Sequence, residues 1–187
     1  MSVRKQQILQ AAIDIIAEQG YGGLTMRALA RASDLKLGAL QYHYPTRDDM
    51  LRALVAHIAA VYRETFDSMA GNSGSLTISG VLEFVAADPS GGALKEHRLW
   101  PQLWAMMQIE PLVAELVEDI YVEYLEILEK LLVAAGSKAP HAEALFLMSV
   151  VEGASIFVDS GRRWEKDRET LRATLQGYIR AKYGKNA

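Results

Sequence analysis

The chain has 187 residues, half of them hydrophobic, which is enough for a real core and excludes wholesale disorder. It contains no cysteine, so it can hold neither a disulfide framework nor a cysteine-ligated metal. The net charge of −3 argues against indiscriminate nucleic-acid binding through bulk charge.

The distribution of that charge says more. Residues 1–50 carry six Lys/Arg against five Asp/Glu, a balance of +1, and the remainder carries 14 against 18, a balance of −4. The head is therefore mildly basic on an acidic body. No apolar h-region follows the charged start Met1-Ser2-Val3-Arg4-Lys5, and no stretch approaches ~18 unbroken apolar residues. The expectation is a cytoplasmic protein with no membrane partner.

The periodicity is helical throughout. Leu9, Ala12, Ile13 and Ile16 share one face of a first helix, which stops at Gly20. Thr25 is the N-cap of a second helix burying Met26, Leu29 and Ala30. The turn Ser33-Asp34 leads to a third, short helix near Lys36 to Tyr42, which Pro45 prevents from continuing. Thr46 caps a long fourth helix with Asp48 and Asp49 in its first turn, where the macrodipole favours acids. Its apolar face is Leu51, Leu54, Val55, Ile58, Tyr62, Phe66 and Met69, and Gly71 to Ser75 reads as a loop.

A helix over Thr77 to Ala87 follows, closed by Asp88-Pro89-Ser90-Gly91-Gly92. The next runs from about Ala93 to Gln108 and is kinked by Pro101. Pro111 to Ala135 is a long amphipathic helix with Leu116, Ile120, Tyr124, Leu128 and Leu131 on its apolar stripe. Pro140 opens a helix apolar on two sides: Leu147, Val151, Ala154 and Val158 on one, Phe146, Val150, Gly153 and Phe157 on the other. A helix apolar on two sides is expected to be buried on two sides. The last helix, about Asp167 to Tyr183, presents Leu171, Leu175, Tyr178 and Ile179. The fold class is all-α: a three-helix helix-turn-helix head (residues 1–47) and a helical bundle body (48–187).

Three short helices, the last two joined by a tight turn, have the geometry of a DNA-reading head. The second helix of the pair enters the major groove and the first braces it across the backbone. The residues are more specific than the spacing. The stretches Gly20-Tyr21-Gly22-Gly23-Leu24-Thr25-Met26-Arg27-Ala28-Leu29-Ala30-Arg31-Ala32 and Leu37-Gly38-Ala39-Leu40-Gln41-Tyr42-His43-Tyr44-Pro45-Thr46-Arg47-Asp48-Asp49 resemble the head of the TetR (tetracycline-repressor) family of transcriptional regulators. The likeness is dense over about residues 5–55. The body is looser, with Trp100, Trp104, Pro111 and Glu152-Gly153 similar to the betaine-regulator branch.

Three positions depart from the family pattern. Asp34 stands where the turn usually has Gly, Lys36 replaces the usual Ser/Thr cap, and Gln41 replaces a Tyr. Asp tolerates a left-handed backbone less well than Gly but better than most residues. Gln reads adenine bidentately, so Gln41 is a candidate for base specificity.

The resemblance implies phosphate contacts from Thr25, Arg27, Tyr42, His43 and Arg47. It implies base-edge contacts from Lys36, Leu37 and Gln41, with Gly38 letting the helix approach the DNA closely. Arg47 at a helix start opposes the macrodipole, which points to a phosphate role rather than a stabilising one. Tyr42 and Tyr44 each have a plainer reading as core aromatics. The resemblance further implies a homodimer on double-stranded operator DNA, joined through the last two helices, with Phe146, Val150, Leu171, Leu175 and Tyr178 at the interface.

A sensor needs a cavity for a small-molecule effector, and the candidates are Trp104, Met107, Tyr121, Tyr124, Glu152 and Phe157. Aromatic rings with one carboxylate suit a cation, although such residues at helical spacing are also ordinary core. No cofactor is expected and no metal cluster is legible. An enzyme is the competing class, but no nucleophile–base pair or Gly-rich phosphate loop is present, and His43, His57, His97 and His141 fall on separate elements. A helical DNA-binding or architectural protein without an effector is the second alternative.

Overall fold

A computed structural model describes residues 2–73, 76–86, 94 and 96–184. Among them are nine α-helices and no strand: α1 (Val3–Gln19), α2 (Met26–Ala32), α3 (Leu37–His43), α4 (Arg47–Ser73), α5 (Ile78–Ala86), α6 (Glu96–Met107), α7 (Pro111–Ala134), α8 (Pro140–Val158) and α9 (Arg168–Tyr183). A 3₁₀ turn, Tyr21–Gly23, links α1 to α2, and another, Glu165–Asp167, precedes α9. The expected turn over 88–92, the expected start at Ala93, and the side chains of Met69 and His97 lie outside what is described.

The chain forms two compact units: Met1–Glu64 with Ser90–Ile120, and Thr65–Pro89 with Tyr121–Ala187. The helices α4 and α7 contribute residues to both.

In the first unit, Ile8, Leu9, Ala12, Ile13 and Ile16 of α1 are fully buried, with Leu29, Leu40, Met50, Leu51, Leu54 and Ile58. The α1 helix ends at Gly20, whose φ of 75° suits glycine and whose N–H donates to the Ile16 carbonyl. The α6 helix packs against α1 and the Tyr21–Gly23 turn through Leu99, Leu103 and Met106, all fully buried. Tyr62 accepts a hydrogen bond from the Trp100 indole, and Trp100 in turn lies beside Trp104 with centroids 6.5 Å apart.

The helix starts explain themselves locally. Thr25 Oγ1 accepts from the Ala28 N–H at 3.1 Å. At α4 the cap is reciprocal: Thr46 Oγ1 accepts from the Asp49 N–H at 3.0 Å, and Asp49 Oδ2 accepts from the Thr46 N–H at 3.1 Å. This is a capping box with Asp in the place of the usual Glu. Two boundaries differ from expectation. Gly71 to Ser73 continue α4 rather than opening a loop, since one glycine near a helix end weakens it without stopping it. The buried stripe of α7 is Val113, Val117, Ile120, Tyr124, Leu128 and Leu132, while Leu116 and Leu131 are half-buried. Ile120, Tyr124 and Leu128 keep their places, and the stripe shifts by one residue only toward its ends, from Leu116 to Val117 and from Leu131 to Leu132.

In the second unit, Phe66, Phe84 and Tyr124 form a ring cluster with centroids 5.1–6.0 Å apart. The α5 helix packs on α8 and α9. Glu143 of α8 accepts from Lys182 at 2.9 Å and from the Tyr183 hydroxyl, which clamps α8 to α9 and holds the carboxyl down at about 2. The α8 helix is long and apolar enough, by length and composition, to cross a membrane. No unbroken apolar run marks it in the sequence, because Glu143 and Glu152 interrupt it. One side, Ala144, Leu147, Met148, Val151 and Val158, is buried in the unit. The other, Phe146 at 50% and Phe157 at 53% exposure, is not.

Candidate nucleic-acid interface

The turn between α2 and α3 fixes how α3 is presented. The Leu35 N–H donates to the Ala30 carbonyl at 2.8 Å and the Asp34 N–H to the Arg31 carbonyl at 3.1 Å. These are the two bonds of a Schellman motif, whose C′ residue must be left-handed. That residue is Asp34, at φ 51°, alone among the described non-glycine residues in having positive φ. Arg4 of α1 braces the same turn, donating to the Ser33 carbonyl at 2.8 Å.

The α3 helix then shows two faces. Leu40 is fully buried and Tyr44, just past the helix end, is buried at 4% exposure, so the core reading of Tyr44 holds. Burial pushes the Tyr44 phenol upward. Gln41 is exposed and Tyr42 is 86% exposed, its ring meeting only the edge of His43 at 5.6 Å. Tyr42 is therefore not a core aromatic. A Cβ added at Gly38 would meet nothing within 4 Å, so the fold itself does not require glycine there. Lys36 is exposed at the start of α3, where its ammonium, a donor only, cannot cap the helix N–H groups. Thr25 and Arg27 are exposed, and Leu37 and His43 are half-buried. All nine residues expected at the interface lie in the first unit.

Arg47 has a neighbour that its position in the sequence does not reveal. Its Nη2 donates to Glu110 Oε1 at 3.0 Å, and its guanidinium lies 5.1 Å from the centre of the Tyr21 ring. The Tyr21 hydroxyl donates to the same Glu110 oxygen. Sequence reasoning missed Glu110 and Tyr21; Arg47 opposing the helix dipole was a signal that it needs an anion, but an acid 63 residues away carries no local mark.

The residues expected at the effector site divide between the units. Trp104 and Met107 are half-buried in the first. Tyr121, Tyr124, Glu152 and Phe157 belong to the second. Tyr124 sits in the Phe66–Phe84 ring cluster, Tyr121 hydrogen-bonds Glu152, and Phe157 meets Trp164 at a tilt, centroids 6.1 Å apart, on the outer side of α8. Burial pushes the Glu152 carboxyl up to about 7, with the Tyr121 bond pulling the other way. No cation pairs with Glu152 among the described residues.

The family model for bacterial regulatory proteins of the tetR family matches residues 8–54, the stretch that builds this head. The head, residues 8–54, is that of the tetR family. It is 24% identical over 119 residues to the HTH-type transcriptional regulator BetI of Paraburkholderia phymatum, covering 61% of this chain and 59% of that regulator's length. A TetR-family transcriptional regulator from Rhodococcus sp. superposes with a TM-score of 0.78 at 23% identity, over 97% of this chain and all of that one. A transcriptional regulator from Saccharomonospora viridis in complex with choline superposes with a TM-score of 0.75 at 19% identity, over 94% of each chain. At these identities the structural likeness is one of fold. The family is one of transcriptional regulators rather than enzymes.

Proposed function

We propose that the whole chain is a tetR-family regulator, a cytoplasmic, ligand-responsive repressor. It binds a palindromic operator as a homodimer and releases it when a small effector occupies the body. The observation that carries the reading is Tyr42: a ring 86% exposed on a helix anchored by the fully buried Leu40. Such exposure contributes nothing to folding, and with Gln41 beside it and open space at Gly38 it presents a reading surface to a groove. Residues 1–47 read DNA; residues 48–187 pair the protomers and sense the effector. Thr25, Arg27, Tyr42, His43 and Arg47 take phosphates, and Lys36, Leu37 and Gln41 take base edges.

Pairing is carried by the outer side of α8 with α9, where Phe146, Val150 and Tyr178 form an apolar surface flanked by Leu171 and Leu175. The effector is a small cation. Glu152 is a half-buried acid with no cationic partner among the described residues, and aromatic Tyr121 and Tyr124 lie one turn apart on α7. A ligand ammonium would satisfy the carboxylate, and the rings would add cation–π attraction. The choline seen in the Saccharomonospora viridis regulator has that chemistry. The α4 helix runs unbroken from Arg47 to Ser73, so movement in the body changes half-site spacing.

Selection of bound duplexes from a random pool tests the reading. A two-fold symmetric site should emerge, and operator should weaken choline binding by the factor that choline weakens operator binding. Enrichment of no symmetric site overturns it.

A further inference from the structure

Arg47 is the one residue of the proposed phosphate set with an ionic partner inside the protein among the described residues. That partner, Glu110, sits between α6 and α7. Its N–H donates to the Met106 carbonyl at 2.8 Å, and its own carbonyl accepts from Val113 and Ala114, the first turn of α7. Its carboxylate is thus fixed to the corner of two helices. The Tyr21 hydroxyl and the Arg47 guanidinium converge on one of its oxygens, so three separate segments meet at a single atom.

We propose that Glu110 is a positioning residue for DNA binding: paired with Arg47, it withholds that guanidinium from the phosphate backbone, and the α6–α7 corner sets whether it lets go. The proposal rests on the DNA-reading function above and adds its point of control. A guanidinium neutralised by a carboxylate releases no counterion when DNA arrives, so a latched Arg47 adds nothing to the salt-dependent affinity. The pair is also easily exchanged. Its side chains are 36% and 27% exposed, and ion pairs open to water contribute little. A phosphate, which the guanidinium fork matches bidentately, competes well for it.

Tyr21 keeps Arg47 in place during the exchange, because its ring holds the guanidinium by a contact that does not consume the N–H donors. The α6 helix also packs against the 3₁₀ turn that carries Tyr21. Movement of α6 is therefore felt at both ends of the latch. The latched arrangement belongs to the DNA-free form, and whatever draws α6 and Glu110 toward Arg47 lowers operator affinity.

The test is the salt dependence of duplex binding by full-length Glu110→Gln, Tyr21→Phe, Arg47→Ala and the Arg47→Ala/Glu110→Gln double variant, on the duplex selected by wild type. Glu126→Gln, which removes an exposed acid of the second unit, controls for net charge. Freeing Arg47 should steepen the slope of log K against log salt by ~0.9 for Glu110→Gln, about one more phosphate. Tyr21→Phe, which keeps the ring and loses only the hydroxyl, should steepen it by less. The gain should vanish in the Arg47→Ala background, and Glu126→Gln should match wild type.

A Glu110→Gln slope equal to wild type overturns the latch while leaving the DNA reading intact. So does a gain that persists without Arg47. Should Glu110→Gln fail to fold, Tyr21→Phe decides on the same criterion. Wild type that binds duplex with no salt dependence overturns the DNA reading and the latch together.

Discussion

Phe146 on α8 and Tyr178 on α9 lie with ring centroids 5.8 Å apart, yet they stay 50% and 40% exposed. Two rings that have found each other and remain wet form a patch rather than a core. Further along the same side of α8, Phe157 does the same with Trp164, which is itself 47% exposed. The polar clamp between Glu143, Lys182 and Tyr183 holds α8 and α9 together, and Lys182 also lies 5.7 Å from the Tyr178 ring centre, yet the rings stay exposed.

If that patch is the dimer surface, a charge at its centre abolishes pairing. Phe146→Glu should sediment as a monomer with helical content little changed, because the ring is half-exposed and its contact with Tyr178 lies at the surface. Leu175→Glu should act likewise. Operator affinity should fall on the order of 10²-fold, as two linked half-site contacts become one. A Phe146→Glu protein that remains dimeric places the interface elsewhere.

Gln41 and Arg27 should separate specificity from affinity. Gln41→Ala removes the bidentate amide and should cost roughly 1–3 kcal/mol at one base pair, relaxing selection there. Arg27→Ala should weaken all duplexes alike and lower the salt slope by about one. Binding measured across single-base variants of the selected site distinguishes them. Uniform weakening by Gln41→Ala would remove it from the reading set.

Glu152 makes stability and effector binding depend on pH. Its carboxyl is raised to about 7 in the fold, from an ordinary value of 4.5. Between those values the folded chain holds more protons than the unfolded one, so stability falls as pH rises through that window and levels off above about 7. The linkage is worth at most ~3 kcal/mol, and less in practice because the side chain keeps some contact with water. Glu152→Gln should therefore melt higher than wild type at pH 8 and equal it near pH 4.5. A cationic effector binds the ionised acid, so its affinity should rise about tenfold per pH unit below about 7 and then plateau. Choline affinity that is flat from pH 5 to 8 would separate Glu152 from the effector.

The sequence made the helices legible wherever a local rule sufficed. Thr25, Gly20 and Pro140 mark ends through backbone chemistry within four residues of themselves, and all three do so in the structure. The two sides of α8 were legible because 3.6-residue periodicity separates Leu147 from Phe146. Tyr42 was ambiguous in sequence, since an aromatic on a short helix fits core and surface equally; only its neighbour Leu40 taking the buried position decides it. The pairing of Arg47 with Glu110 had no local signature at all. Nor did the division of Trp104 and Glu152 between two units, which depends on how distant helices assort. Long-range assortment follows from packing area, which periodicity does not encode.

Asp34 offers the cleanest test of local strain. The same helix-ending motif occurs at the ends of both α2 and α7. At the end of α7, the Ser137 N–H donates to the Leu132 carbonyl at 2.9 Å around Gly136, at φ 85°. At the end of α2, the Leu35 N–H donates to the Ala30 carbonyl at 2.8 Å around Asp34, at φ 51°. Glycine is unstrained in that conformation, whereas an L-residue there costs roughly 1–2 kcal/mol, somewhat less for Asp. Against this, a new glycine loosens the unfolded chain by about 0.4–1 kcal/mol. Relief of strain wins by a small margin, so Asp34→Gly should raise the melting temperature by about 1–2 °C. The brace from Arg4 survives, since it reaches backbone carbonyls rather than the Asp34 side chain. Asp34→Val should do the reverse, by about 4 °C or more, because a β-branched residue tolerates positive φ worst. Paired thermal melts of the two variants decide it: equal melting temperatures would mean that the turn carries no left-handed strain.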